Sequence, residues 1–209
     1  MTVRHHQGPT SVDLQQGQGW AWVGLDSVDG LNRLTSGLLL ALDRLFIELR
    51  WAGTRRLALS SARWMQGRSG NLSAGADLHE VSGLDAVTAE PFSRRGQRVM
   101  THLLWPGWES LTVLSGVAMG GGCDLAFHGQ TRWAVQGLKM AHPAARHGIL
   151  TGFGGTRRLP EVLGAVGANR LFRRFEHWGA EAAVEAGAAE RMLEPEEVLG
   201  SVRGWLEGA

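Results

Sequence analysis

The chain has 209 residues, 44% of them hydrophobic, with Lys+Arg 21 against Asp+Glu 20 and a formal net charge of +1. That length supports one sizeable core, and with no basic surplus to displace counterions from a phosphate backbone, nucleic acid is excluded as a partner. Cys123 is the single cysteine, which excludes an intramolecular disulfide and a cysteine-based metal cage, and no oxidising compartment is called for.

The opening "MTVRHHQGPT" has no apolar core of a leader, and the longest apolar run, "LLLALDRLFIEL", is broken by charges, so a cytoplasmic protein with no membrane partner is expected. "GWAWVGLDS" is rich in β-formers and predicts a strand over about 20–25. "TSGLLLALDRLFIELR" sets Leu38, Leu42, Leu45 and Leu49 on one face and predicts a helix over 35–50. "TRRLALSSA" reads as a short buried strand that runs into a loop, "NLSAGADLHE", and a helix is expected over about 91–104. "ESLTVLSGVAMGGG" repeats the logic: a strand over 110–114, then a glycine cluster, then a helix over "GGCDLAFHG". "AVQGLKMAH" predicts a further strand, "GGTRRLPEVLGAVGANRLFRRF" a helix broken near Gly164, and "GAEAAVEAGAAERML" another helix. Alternation of strand, loop and helix is an α/β pattern, in which ligands bind at the carboxyl ends of strands. With no internal repeat and no linker, residues 1–209 are expected to form a single domain.

Two strands therefore end in loops of small residues: Ser73, Ala74, Gly75 and Ala76 in the first, Gly120, Gly121 and Gly122 in the second. Small residues let something approach the backbone, and a helix N-terminus offers unpaired N–H groups and the positive end of a dipole. If the helix starts near Gly122, the N–H groups of the glycine cluster and of Ala74 can converge as an oxyanion hole for a carbonyl oxygen, as in a thioester enolate. Two other readings compete. A phosphate-cradling loop lacks support, because neither G-x-x-x-x-G-K-[ST] nor G-x-G-x-x-G is present; tight turns with no chemistry remain open.

The quoted loops also carry a family resemblance. "NLSAGADLHE" resembles the "SAGADL" loop of the crotonase superfamily (enoyl-CoA hydratases and isomerases), "GVAMGGGCDLA" its second motif, and "GFGGTRRLPEVLGAVGANRLF" the following "PGxGGTxRL" segment. With "LDSVDGLNRL" they span about residues 20–195 in the family's order. The resemblance implies a crotonase-like spiral of ββα units that binds an acyl-CoA thioester, or a thioester on an acyl carrier, and stabilises an enolate. It implies a homo-oligomer, trimer or hexamer, and no cofactor beyond coenzyme A as part of the substrate. It places the two oxyanion donors at Ala74 and Gly121, and substrate contacts at Leu72, Ser73, Ala76, Asp77 and Gly120. The family's C-terminal helices, which commonly cover the site and build the trimer, are expected to be largely missing here.

Hydratases of this family use two glutamates to position and activate water. Here the first position holds Asp124 and the second holds Ala144. Asp124 is thus the one acid or base that a motif supports, although an acid in the first turn of a helix is also favoured by the macrodipole alone. His142 and His147 lie nearby in sequence and are candidate acid/base groups, as are His102 and His128; His79 is expected to face solvent. Cys123 is expected to be a buried filler rather than a nucleophile. A positioned acid or base is worth about 10²–10⁴-fold. With one carboxylate gone, isomerisation, decarboxylation or hydrolysis competes with hydration, and a non-catalytic thioester-binding homologue or partner subunit is the alternative.

Overall fold

A computed structural model describes residues 2–7 and 10–208, with side chains from Thr10 onward except that of His147. Its main sheet has seven strands: β1 (Thr2–Gln7), β2 (Thr10–Gly17), β3 (Trp20–Ser27), β4 (Arg56–Ser61), β5 (Glu109–Leu114), β7 (Thr131–Val135) and β9 (Arg191–Leu193), in that spatial order. The β1–β2 and β2–β3 pairings are antiparallel and all later ones parallel. A second, two-stranded parallel sheet pairs β6 (Val117–Met119) with β8 (Lys139–Ala141).

Parallel strands need crossovers that cover the sheet's faces. They are supplied by α1 (Ser36–Trp51), α2 (Leu78–Ser82), α3 (Ala89–Leu103), α4 (Gly121–His128), α5 (Gly155–Phe172), α6 (Ala180–Glu185) and α7 (Val198–Glu207). The strands β4 and β5 are consequently buried on both faces rather than alternating buried and exposed. In β3, Ala21, Val23 and Leu25 enter a core shared with α1, α3, α4 and α5, while Trp22 enters a second core with Ala58, Leu111, Trp133, Val202 and Leu206. Burial of each large side chain in these cores contributes about 1.5–3 kcal/mol. The tryptophans are mostly packing residues, and two of the buried ones have their polar tips matched inside: Trp22 Nε1 donates to Ser60 Oγ and Trp64 Nε1 to Ser115 Oγ, each at 2.8 Å.

The strands over 20–25 and 110–114 and the helices over 35–50 and 91–104 appear within a residue or two of their expected places. Thr35 caps α1 by accepting the Leu38 N–H. The expected break near Gly164 is a kink inside α5, where Gly164 has φ 68° and ψ 173°. The opening "MTVRHHQGPT" contributes β1 and the start of β2. Two readings are corrected. "AVQGLKMAH" divides between the end of β7 and β8. The helix expected over "GAEAAVEAGAAERML" ends at Glu185, because Gly187 turns back at φ 73° and the following "RML" becomes β9, paired on β7. Among the described residues no helix is long and apolar enough to cross a membrane.

Candidate active site

Two parallel strands, β4 and β5, lie side by side; the first small-residue loop follows β4 after a 3-10 turn at Ala62–Gln66, and the glycine cluster follows β6, the short strand after β5. The loops are joined as a backbone ladder: Ser73 N–H donates to the Val117 carbonyl and Met119 N–H to the Ser73 carbonyl, both at 3.0 Å. Asn71 ties the same junction, donating from Nδ2 to the Gly30 carbonyl and accepting the Val117 N–H. Asn32, buried at φ 48°, gives its Nδ2 to the carbonyls of Leu25, Asn71 and Leu72.

This contact is why the loop residues are small. A Cβ on Gly75 would lie 2.5 Å from the Met119 carbonyl oxygen, and one on Gly122 would lie 2.2 Å from that of Ser73. What approaches the first loop is, in the first instance, the backbone of the second.

The helix α4 starts at Gly121, behind Gly120 at φ 50°, with no side-chain cap. The N–H groups of Gly120 and Cys123 are given to the Ala141 and Gly120 carbonyls, which leaves those of Gly121 and Gly122 open. The N–H that meets it from the other loop is Ala76's, 3.3 Å from where a Gly121 Cβ would stand. Neither the Ala76 nor the Gly121 N–H is donated to another group among the described residues. Ala74 is a correction: its N–H is given to the Leu31 carbonyl at 2.8 Å, so it has no donor left for a ligand. The two-residue offset follows from the bridge of Leu34 with Ala76, in which Leu34 bonds Gly75 and Asp77 and leaves the Ala76 N–H directed away.

These groups lie in the wall of a cavity of about 380 Å³. Its apolar lining includes Leu78, Leu84, Phe92, Ile149, Leu150 and Phe153. Ala76, Gly120, Gly121, His142 and Ala144 line it as well. Leu72 and Ser73 do not: both are fully buried, Leu72 in the core and Ser73 with its hydroxyl on the Asn32 carbonyl. Asp77 is occupied as the N-cap of α2, accepting the His79 and Glu80 N–H groups. These three expected substrate contacts act as supports of the loop.

Asp124 is fully buried and is absent from the cavity wall. One carboxylate oxygen lies 3.0 Å from His142 Nε2, and the other accepts the Thr151 hydroxyl. A Cβ on Gly155, the first residue of α5, would collide with this carboxylate at 1.8 Å, so the acid sits against the positive end of that helix. The importance of Thr151 was invisible in the sequence, since its partner stands 27 positions away. His142, also buried, packs against Phe172 with ring centroids 4.6 Å apart and planes 61° apart, and its Nδ1 has no hydrogen-bond partner among the described residues.

The other histidines divide. His128 donates from Nδ1 to the Asp124 carbonyl at 2.7 Å, behind the site, and burial pulls its pKa below the ordinary value. His102 belongs to a separate cluster with Asp43 at 3.1 Å and Arg50, and burial lowers its pKa too. His79 is exposed. The side chain of His147 lies outside the described residues. Burial pushes the Cys123 thiol well above its ordinary pKa, which makes it a packing residue. Among the described residues no group of three His, Cys, Asp or Glu is placed to hold a metal ion.

The model of the enoyl-CoA hydratase/isomerase family matches residues 64–208. The chain belongs to that family. It is 34% identical over 130 residues to a crotonyl-CoA hydratase of Syntrophomonas wolfei, an alignment covering 62% of this chain and 50% of that protein. A short-chain-enoyl-CoA hydratase of Clostridium acetobutylicum is 28% identical over the same shares. The chain thus spans about half the length of the curated relatives it matches. Among solved structures, Pseudomonas aeruginosa DspI superposes with a TM-score of 0.85 at 26% identity, covering 94% of this chain and 73% of that one. An enoyl-CoA hydratase from Bacillus anthracis gives 0.85 at 22% identity, covering 94% and 75%. The α/β architecture is the crotonase fold.

Proposed function

We propose that the cavity is an acyl-thioester site, and that the chain is an enzyme of hydratase/isomerase type acting on an acyl-CoA or acyl-carrier thioester. The observation that carries this reading is the pair of unengaged N–H groups of Ala76 and Gly121 in the wall of an apolar cavity. Two such donors stabilise charge developing on a thioester oxygen in a site from which water is excluded. The activities for which the two relatives are named, crotonyl-CoA and short-chain-enoyl-CoA hydratase, support a short unsaturated acyl group. Coenzyme A enters as part of the substrate, and no further cofactor is part of the reading. A single domain accords with one main sheet carrying a core on each face; a cytoplasmic homo-oligomer is the assembly that the resemblance implies.

Within that class, proton transfer without water addition fits better than two-carboxylate hydration. Ala144 stands in the cavity wall where the resemblance expects the second carboxylate, and the wall holds no Asp or Glu among the described residues. The sealing of Asp124 also favours a second reading, a non-catalytic thioester-binding subunit. Incubation with crotonyl-CoA, a 3-enoyl-CoA and a malonyl-type CoA, with products followed by mass spectrometry and NMR, separates the two. Isomerised, hydrated or decarboxylated product supports the enzyme. Binding with every thioester returned unchanged supports the subunit, and no binding at all overturns both.

A further inference from the structure

The cavity wall contains one titratable side chain among the described residues, His142. Its two ring nitrogens have different surroundings. Nε2 meets Asp124 Oδ1 at 3.0 Å, whereas Nδ1 is buried with no partner among the described residues. A carboxylate only accepts hydrogen bonds, and the other oxygen of Asp124 already accepts from Thr151. In the neutral ring the hydrogen therefore sits on Nε2 and the lone pair on Nδ1. An unpartnered buried acceptor costs free energy unless something is there to use it. The ring is held by Asp124 and packs against Phe172, the two ring planes 61° apart.

We propose that His142 is the general base of this site, acting through Nδ1, with Asp124 and Thr151 as positioning residues; this rests on the thioester reading above. With a 3-enoyl thioester, Nδ1 takes a proton from C2 as the C2–H bond breaks. The electron pair passes onto the thioester oxygen, held by the Ala76 and Gly121 N–H groups. The imidazolium, stabilised by Asp124, returns that proton to C4 of the dienolate, so the double bond moves from C3–C4 to C2–C3. One base serves both transfers and no other reactant is consumed. A single histidine thereby does what the missing carboxylate at Ala144 cannot.

The test uses 3-hexenoyl-CoA isomerisation followed by NMR, with crotonyl-CoA affinity measured in parallel on wild type, His142→Gln and Asp124→Asn. Gln keeps a donor for Asp124 but is no base. The expected result is a kcat lower by about 10²–10⁴-fold in His142→Gln, with crotonyl-CoA affinity within about threefold of wild type. Asp124→Asn offers the ring a donor or a neutral oxygen, frees the tautomer, and lowers kcat while leaving KM near wild type. Histidine ¹⁵N spectra of the wild type supply a measurement that needs no variant: hydrogen on Nε2 and a bare Nδ1 support the assignment, and the opposite tautomer overturns it. Wild-type turnover that survives in His142→Gln overturns the proposal with the thioester reading intact, as does wild-type binding without turnover. Absence of crotonyl-CoA binding by the wild type overturns the thioester reading itself.

Discussion

The Cβ that Gly75 lacks would stand 2.5 Å from the carbonyl oxygen of Met119, and its φ of +95° is one that L side chains rarely adopt. Both facts trace to one cause: the ends of β4 and β5 bring two loops together backbone to backbone, so that the Ala76 and Gly121 N–H groups share one wall. Gly75→Ala is therefore expected to destabilise the fold by more than the about 1–3 kcal/mol of backbone strain alone, since the carbonyl must also move. Urea denaturation would report the loss, and thioester affinity should fall with it.

Gly121 offers a sharper test of the donor pair. Proline is tolerated at the first position of a helix, where its missing N–H costs the helix nothing, and Gly120 at φ 50° and ψ −116° is the mirror image of an extended residue that a following proline accepts. Gly121→Pro should lower kcat by about 10²–10³-fold. Gly121→Ala brings a Cβ to the same place, 3.0 Å from Phe153, but keeps the donor. It is the control: equal losses in the two variants would remove Gly121 N–H from the mechanism.

The sequence revealed the elements and the loops more fully than the chemistry between them. Motifs placed the glycine cluster and Asp124, because small residues and an acid at a strand end have a local cause. Which N–H is open has no local cause: Ala74 and Ala76 look alike, and only the Leu31 carbonyl, reached from another loop, decides between them. Asp124 is likewise removed from the cavity by His142 and Thr151, which arrive 18 and 27 positions later. The helix expected over "GAEAAVEAGAAERML" forms but stops at Glu185, and the tertiary reason is that the open edge of β7 takes "RML" as a strand.

Asn32 carries no charge and belongs to no catalytic motif, yet its Nδ2 meets three carbonyls from two segments, including Asn71 at 2.8 Å. Asn32→Ala leaves those buried acceptors short of a donor, at a cost of about 1–3 kcal/mol. Asn32→Asp should be worse, because it sets a carboxylate among carbonyl oxygens. Denaturation midpoints would order the series wild type, Ala, Asp; an Asp variant as stable as wild type would refute the role of the amide.

Stability should fall on mild acidification, and the direction follows from His128 and His102. Burial holds both pKa values below the ordinary 6.5. In the unfolded chain each binds a proton as pH drops through about 6.5, while the folded chain resists until its own lower pKa is reached. Between those two points the unfolded state is the better proton acceptor, so the melting temperature declines from pH 7 downward and levels off once the folded histidines also charge. Asp29, whose pKa is lowered to about 2 by the Leu31 N–H and by Arg33, titrates below this window and does not mask it. His128→Gln retains a side-chain donor for the Asp124 carbonyl but has nothing to titrate. Its melting temperature should therefore depend less on pH between 7 and 5 than that of the wild type, and an unchanged slope would show that His128 does not contribute.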